Sequence, residues 1–153
     1  MRLIVAVVGK PRHDSIAAAI RDYEERARRY WPLEVVEVKD EPARASSRDV
    51  VRRREGERLA TAIGGARVIA CEVGGRRMSS PEFAGWVQGL REAAADVAFV
   101  IGGAFGLADE LSERATTRVS FSSWTLPHEL ARLVLAEQLY RAGTIVRGEP
   151  YHK

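Results

Sequence analysis

Leu3 to Val8 is an unbroken apolar run closed by Gly9, the pattern of a strand covered on both faces and placed in the middle of a parallel sheet. A helix is predicted from about Asp14 to Tyr30, with Asp14 or Ser15 as its N-cap, Pro32 stopping it, and Arg26, Arg28 and Arg29 on a solvated face. Leu33 to Val38 alternates apolar with acidic residues, which predicts a strand nearer the sheet edge. Lys39 to Ser47, with Pro42 and two serines, reads as a loop. Ser46 or Ser47 then caps a second helix reaching about Ile63. Its Arg48, Arg52, Arg53, Arg54 and Arg58 stand among Glu55 and Glu57, a solvated face of mixed sign, with contact to RNA phosphate as the alternative.

After the Gly64-Gly65 stop, Val68 to Val73 predicts a third strand and Gly74-Gly75-Arg76-Arg77 a polar turn. Ser80-Pro81 reads as an N-cap followed by proline at the first helical position, launching a helix to about Ala95. Asp96 to Ile101 is the fourth strand, Asp109 to Ala115 a short helix, Arg118 to Phe121 the fifth strand and Pro127 to Ala142 the last helix. Strand and helix alternate five times with no internal repeat and no dividing linker. The expectation is one α/β domain, residues 1–153, built on a mainly parallel sheet with helices on both faces. Pattern alone gives no strand order.

In the last helix, Leu130, Leu133, Val134, Glu137 and Arg141 share one face, and His128, Arg132, Leu135 and Leu139 the opposite one, because side chains recur every 3.6 residues. Both faces are mainly apolar. Such a helix is expected to be covered on one side by its own domain and on the other by a second subunit.

Composition changes this picture little. At 153 residues, 46% hydrophobic and 29% charged, the chain is an ordinary soluble domain. Cys71 is the only cysteine, so no intrachain disulfide is possible, and a reducing cytoplasm fits. The opening apolar run is too short for a membrane span or a signal-peptide core, so a cytoplasmic protein with no membrane partner is expected. Net charge is +3, carried by 21 Arg against 3 Lys. That balance permits RNA binding and equally reflects Arg-rich base composition.

Several chemistries are disfavoured. The first strand ends in Val8-Gly9-Lys10-Pro11, which is neither a dinucleotide fingerprint nor a phosphate loop. His13, His128 and His152 with one cysteine lack metal-ligand spacing, so no metal is expected, and no GxSxG elbow is present. What remains is a pair of loops after the last two strands. Gly102, Gly103 and Gly106 remove side chains where backbone can approach a ligand closely, although such a turn also occurs for structural reasons alone. Ser122 to Pro127 adds hydroxyls and main-chain groups beside Trp124, suited to a flat polar heterocycle. Glu137 and Arg141 form an i,i+4 pair that reads either as a structural ion pair or as a fixed guanidinium at a site wall. His128 and the terminal Tyr151-His152 have bland readings, a backbone-satisfied helix start and a frayed terminus.

The ordered combination of Ile101-Gly-Gly-Ala-Phe-Gly106, Thr125-Leu-Pro-His128, Glu137-Gln-Leu-Tyr-Arg-Ala142 and Pro150-Tyr-His-Lys153 resembles the ribosomal RNA large subunit methyltransferase H family along the whole chain. The resemblance implies a SPOUT-class α/β fold whose C-terminal part, about residues 68–153, forms a trefoil knot, and a homodimer. It implies methyl transfer from S-adenosylmethionine to N3 of a pseudouridine in large-subunit ribosomal RNA, with the assembled ribosome as substrate. A non-catalytic ribosome-binding factor and a SPOUT enzyme acting on transfer RNA are the alternatives. Carried over by residue, the cofactor site comprises Cys71, Glu72, Gly102, Gly103, Gly106, Ser122, Ser123, Trp124, Thr125, Leu126 and Pro127. The candidates for chemistry are His152 and His128 as bases, with Tyr151 closing over the RNA base and Arg141 stabilising the developing anion. One departure stands out. The family often has an aromatic residue directly after Tyr-Arg-Ala, where this chain has Gly143, which predicts a looser turn into the tail.

Overall fold

The computed structural model describes residues 1–153 apart from the side chain of Ala45. Strands β1 (Leu3–Val8), β2 (Leu33–Val38), β3 (Arg67–Arg76), β4 (Val97–Val100) and β5 (Thr117–Val119) alternate with helices α1 (Asp14–Ala27), α2 (Arg48–Ile63), α3 (Ser80–Glu92), α4 (Asp109–Arg114) and α5 (His128–Val146). All four strand pairings are parallel, and the order across the sheet is β2-β1-β4-β3-β5. The α/β reading and the edge position of β2 are both borne out. β1 is interior, although the central strand is β4.

β1 shows why the sheet has helices on both faces. Leu3, Val5 and Val7 enter one core with Ala27, Trp31, Phe83, Val87, Leu135 and Leu139, from α1, α3, α5 and the turn after α1. Ile4, Ala6 and Val8 enter a second core with Leu59, Ile63, Leu107 and Leu111, from α2, α4 and the loop after β4. Successive side chains of a strand point to opposite faces, so a run buried throughout needs cover on both.

Local chemistry shifts several boundaries. α1 begins at Asp14 itself, with His13 as a cap whose side chain makes no capping bond, and an acidic residue in the first turn favours the helix dipole. It ends at Ala27, and Tyr30 N–H donates to the Ala27 carbonyl in a tighter turn. Ser47 is the N-cap of α2, accepting from Val50 N–H at 3.3 Å. α3 is capped by Ser79 rather than Ser80, in a reciprocal box with Glu82 that satisfies two orphan donors. α5 runs a turn beyond Ala142.

The one expected turn that is absent is Gly74 to Arg77. Instead β3 continues through Arg76, with an irregular register that pairs Arg76 with Val119. Gly75 permits this, because a Cβ there would lie 2.6 Å from the backbone of Val119. The extended β3, the loop after β4 and the loop after β5 therefore emerge at one edge of a parallel sheet, the C-terminal edge where open α/β folds bind ligands.

Candidate functional site

β4 is followed by α4 on one face of the sheet, whereas β1 and β3 on either side of it are followed by helices on the other face. Chains that leave neighbouring strands in opposite directions open a crevice at the strand ends. One groove opens between the ends of β1 and β4, and a smaller cavity lies one strand over, between the end of β3 and the loop after β5.

On the β3 side, Cys71, Glu72, Val73, Phe121, Ser122, Trp124, Leu126 and Ala131 line a small cavity of about 70 Å³. Its wall is a self-braced loop: Ser120 Oγ donates to the Ser122 carbonyl at 2.8 Å, and Trp124 N–H donates to Ser122 Oγ at 2.9 Å. The Trp124 ring is 79% exposed. Burial pushes the Cys71 thiol well above its ordinary range, with the nearby Glu72 carboxylate adding to the effect, so Cys71 contributes apolar surface rather than a thiolate. The Glu72 carboxylate accepts from Ser112 Oγ at 3.0 Å and lies 3.9 Å from Arg118, which turns it toward α4 and β5.

Gly102 closes the glycine loop on itself. A Cβ there would sit 2.3 Å from the Gly106 carbonyl carbon and 2.4 Å from Leu107 N, so the loop can follow this path only with glycine at that position. Gly103 turns to the other side of β4, into a groove of about 510 Å³. The predicted cofactor residues thus fall along both sides of β4. Ser123, Thr125 and Pro127 are exposed on the rim, with Pro127 serving as the N-cap position of α5.

The donor set suits the adenine and ribose of a nucleoside ligand. Main-chain groups of the Ser122–Leu126 loop and the sulfur and rings around them offer hydrogen bonds and flat contact, and Gly102 and Gly103 leave room for close approach. S-Adenosylmethionine therefore fits the residues present. At about 70 Å³ the small cavity is large enough for only part of such a ligand.

The larger groove contains residues that the sequence reading did not single out: Lys10, Arg12, Glu55 and Phe105, with His128. Glu55 is the clearest case. It was read as part of a solvated face, yet it is only 4% exposed. The signal was present, since Val51, Glu55, Leu59 and Ile63 recur every four residues and so lie on the buried stripe of α2.

The candidates for chemistry separate into two sets. His128 begins α5 at the groove. Arg141, Tyr151 and His152 meet thirteen residues further along, about 20 Å at helical rise. There Arg141 Nε donates to Glu137 Oε1 at 2.9 Å, Tyr151 O–H donates to the same oxygen at 3.1 Å, and the Arg141 guanidinium stacks 4.8 Å from the Tyr151 ring centroid. Arg141 Nη1 lies 3.2 Å from His152 Nδ1. The terminus is therefore a built corner of the molecule, and Glu137–Arg141 is both an ion pair and the seat of the tail.

Gly143 belongs to that corner and does not loosen it. It is buried, and a Cβ on it would lie 2.2 Å from Cγ of Tyr30. The Tyr30 ring fills the space, its hydroxyl donates to Glu149, and Arg147 stacks on it at 4.7 Å. An aromatic from the turn after α1 thus stands where a side chain at position 143 would have to go.

With the geometry in hand, likeness to known proteins decides the family. A family model described as "Predicted SPOUT methyltransferase" matches residues 1–152. A protein of Gemmatimonas aurantiaca named ribosomal RNA large subunit methyltransferase H is 60% identical over 154 residues, covering 100% of both chains. The chain belongs to the ribosomal RNA large subunit methyltransferase H family of SPOUT methyltransferases. A family member from Sorangium cellulosum is 46% identical, over 99% of each chain. Among solved structures, a probable methylase family protein of Haemophilus influenzae aligns with a TM-score of 0.56 at 13% identity, over 99% of this chain and 70% of that one. That likeness shows the SPOUT fold.

Among the described residues no helix is long and apolar enough to cross a membrane. Among the described residues no group of His, Cys, Asp and Glu is arranged to hold a metal ion.

Proposed function

We propose that this protein methylates N3 of a pseudouridine in large-subunit ribosomal RNA, on the assembled ribosome, using S-adenosylmethionine and working as a homodimer with a knotted C-terminal part at about residues 68–153. The observation that carries the reading is the full-length likeness to ribosomal RNA large subunit methyltransferase H, together with the tail corner built on Glu137 and Arg141.

When bound, S-adenosylmethionine supplies an electrophilic methyl group. The protein must then bring N3 of the base in line with it and deal with a weakly acidic imide proton. Arg141 is placed to stabilise negative charge growing on the base carbonyls. Because a guanidinium only donates, a hydrogen bond across the 3.2 Å contact occupies the lone pair of His152 Nδ1. His152 thus becomes a base only by leaving Arg141. Tyr151 is held by Glu137 with its ring against Arg141 and presents an edge for the base to pack on.

The spacing between His128 and this corner supports the dimer. One chain does not bring the two sets to a single base. A second copy can lay its tail over the first chain's loops, along the partly exposed face of α5 formed by Leu130, Leu133 and Val134.

The deciding experiment is transfer of labelled methyl from S-adenosylmethionine to ribosomes from a strain lacking this protein, with free ribosomal RNA and transfer RNA alongside. Label recovered as 3-methylpseudouridine from ribosomes alone is the expected result. No label on any RNA despite measurable cofactor binding overturns the substrate. A rate and pH profile unchanged in His152→Ala removes His152 from the chemistry.

A further inference from the structure

The groove between the ends of β1 and β4 is lined by charge that is mostly already spoken for. Arg12 pairs with Asp40 at 3.4 Å, and Glu41 is held by Arg54 and Arg58. Among the described residues Lys10 and Arg44 have no acidic partner, which leaves two cations at the mouth of the groove. Phe105, half-buried with Arg48 5.0 Å from its ring centroid, supplies an aromatic face. A groove of about 510 Å³ with a stacking ring and free cations at its mouth suits one nucleotide of an RNA strand.

One buried group at this groove has no partner. Glu55 Oε2 accepts from Glu41 N–H at 3.1 Å, while Oε1 makes no hydrogen bond and is screened from solvent. Oε1 lies against Gly103, where a Cβ would come within 2.6 Å of it. An oxygen buried without a hydrogen bond costs the full desolvation of that group, so its presence calls for a role. Burial pushes the Glu55 carboxyl above its ordinary range and Asp40 adds to the rise; the Glu41 amide bond, Arg58 and His128 act the other way.

We propose that Glu55 is the residue that reads the acceptor base in this groove, hydrogen-bonding the N1–H and C2 carbonyl edge that pseudouridine has and uridine lacks. This rests on the function proposed above. In pseudouridine the ribose is attached through carbon, so N1 keeps a proton; in uridine N1 carries the ribose. A protonated carboxyl offers one acceptor and one donor side by side, which matches N1–H beside C2=O. That contact leaves N3, on the other flank of C2, free to face the methyl donor. Oε1 sits behind Gly103, so reaching it takes a shift of the Gly102–Gly106 loop, and base reading is thereby coupled to the loop assigned to the cofactor.

The test compares ribosomes carrying pseudouridine at the accepting position with ribosomes carrying uridine there. The wild-type protein methylates the first at least about tenfold faster, as expected when a site built for a hydrogen bond meets an analogue lacking it. Glu55→Gln keeps that preference, because an amide also offers donor and acceptor. Glu55→Leu lowers the pseudouridine rate by about 10- to 100-fold and brings the two rates together, with cofactor affinity by calorimetry unchanged. Three outcomes overturn the assignment: a Glu55→Leu variant that keeps its preference, one that loses cofactor binding instead, or a Glu55→Gln variant as impaired as Glu55→Leu. Should Glu55→Leu not fold, Lys10→Ala is to weaken ribosome binding and reduce its salt slope by about one; an unchanged slope removes the groove from RNA contact. A wild-type protein that methylates neither substrate overturns the proposed function itself.

Discussion

The ring of Tyr30 occupies the space that a side chain at Gly143 would need, with 2.2 Å between Tyr30 Cγ and a Cβ built on Gly143. The contact fastens the turn after α1 to the end of α5. Alanine is normally favoured over glycine inside a helix by about 0.5–1 kcal/mol, but here the methyl must displace a ring that is bonded to Glu149 and stacked by Arg147. Gly143→Ala is expected to destabilise the protein by about 1–3 kcal/mol, the usual range for overpacking. In a Tyr30→Ala background the same change becomes stabilising, and denaturant titrations of the four proteins check the reversal of sign.

Arg132 is buried between two carboxylates, with Nε 2.7 Å from Glu24 and Nη1 2.7 Å from Glu37. Removing Glu24 leaves the guanidinium with Glu37, its less buried partner, as the remaining carboxylate. Glu24→Ala is expected to cost about 1–3 kcal/mol, since bonds from a buried charge are lost while one pair remains, whereas the double change Glu24→Leu with Arg132→Leu costs less, because the buried pair leaves together and the more exposed Glu37 alone loses a partner. Chemical unfolding of both variants at neutral pH decides this.

Asp96 accepts from the backbone N–H of Arg2 at 2.7 Å and from its guanidinium at 3.1 Å. The backbone bond, followed by the guanidinium, holds its carboxyl below the usual carboxylate range. A folded-state value below the unfolded one gives stability that is present above the unfolded value and lost as pH falls through the folded value. Thermal midpoints are therefore expected to drop on the acid side of the carboxylate range, and Asp96→Asn to flatten part of that limb while leaving the curve above it parallel to wild type.

Gly102→Ala places a methyl 2.3 Å from backbone of the same loop, where no side chain can move aside. The loop must change path. Cofactor affinity measured by calorimetry is expected to fall at least about tenfold, while far-ultraviolet circular dichroism keeps its α/β signature. Unaltered affinity would detach the glycine loop from the cofactor.

Much of the scaffold was legible because periodicity reports burial directly. Leu3–Val8 and Leu33–Val38 appear with their predicted ends, and α2 with its Ser47 cap. Strand order was not legible, because a parallel crossover does not state on which side its strand returns. Gly74-Gly75 read as punctuation, yet glycine also marks close approach, which is how β3 uses it. At the site, both loops and the Glu137–Arg141 pair could be seen in sequence. The Tyr30–Glu149 tie spans 119 positions and has no local signature. Glu55 was hidden by its chemistry: among five arginines a glutamate looks solvated, and only its place on the Val51–Ile63 stripe says otherwise.

α5 carries His128 at one end and the seat of the tail near the other, fixed by continuous backbone bonding and by the Trp31 indole, which donates to the Leu139 carbonyl at 2.7 Å. The helix is in effect a ruler. Inserting one residue between His128 and Arg141 would advance one end by about 1.5 Å and turn it by about 100° relative to the other, moving both out of alignment at once. Length changes in the loops that bound this helix can be absorbed locally; inside it they would change the distance and angle between His128 and the seat of the tail, so its residue count sets that geometry as much as its side chains do.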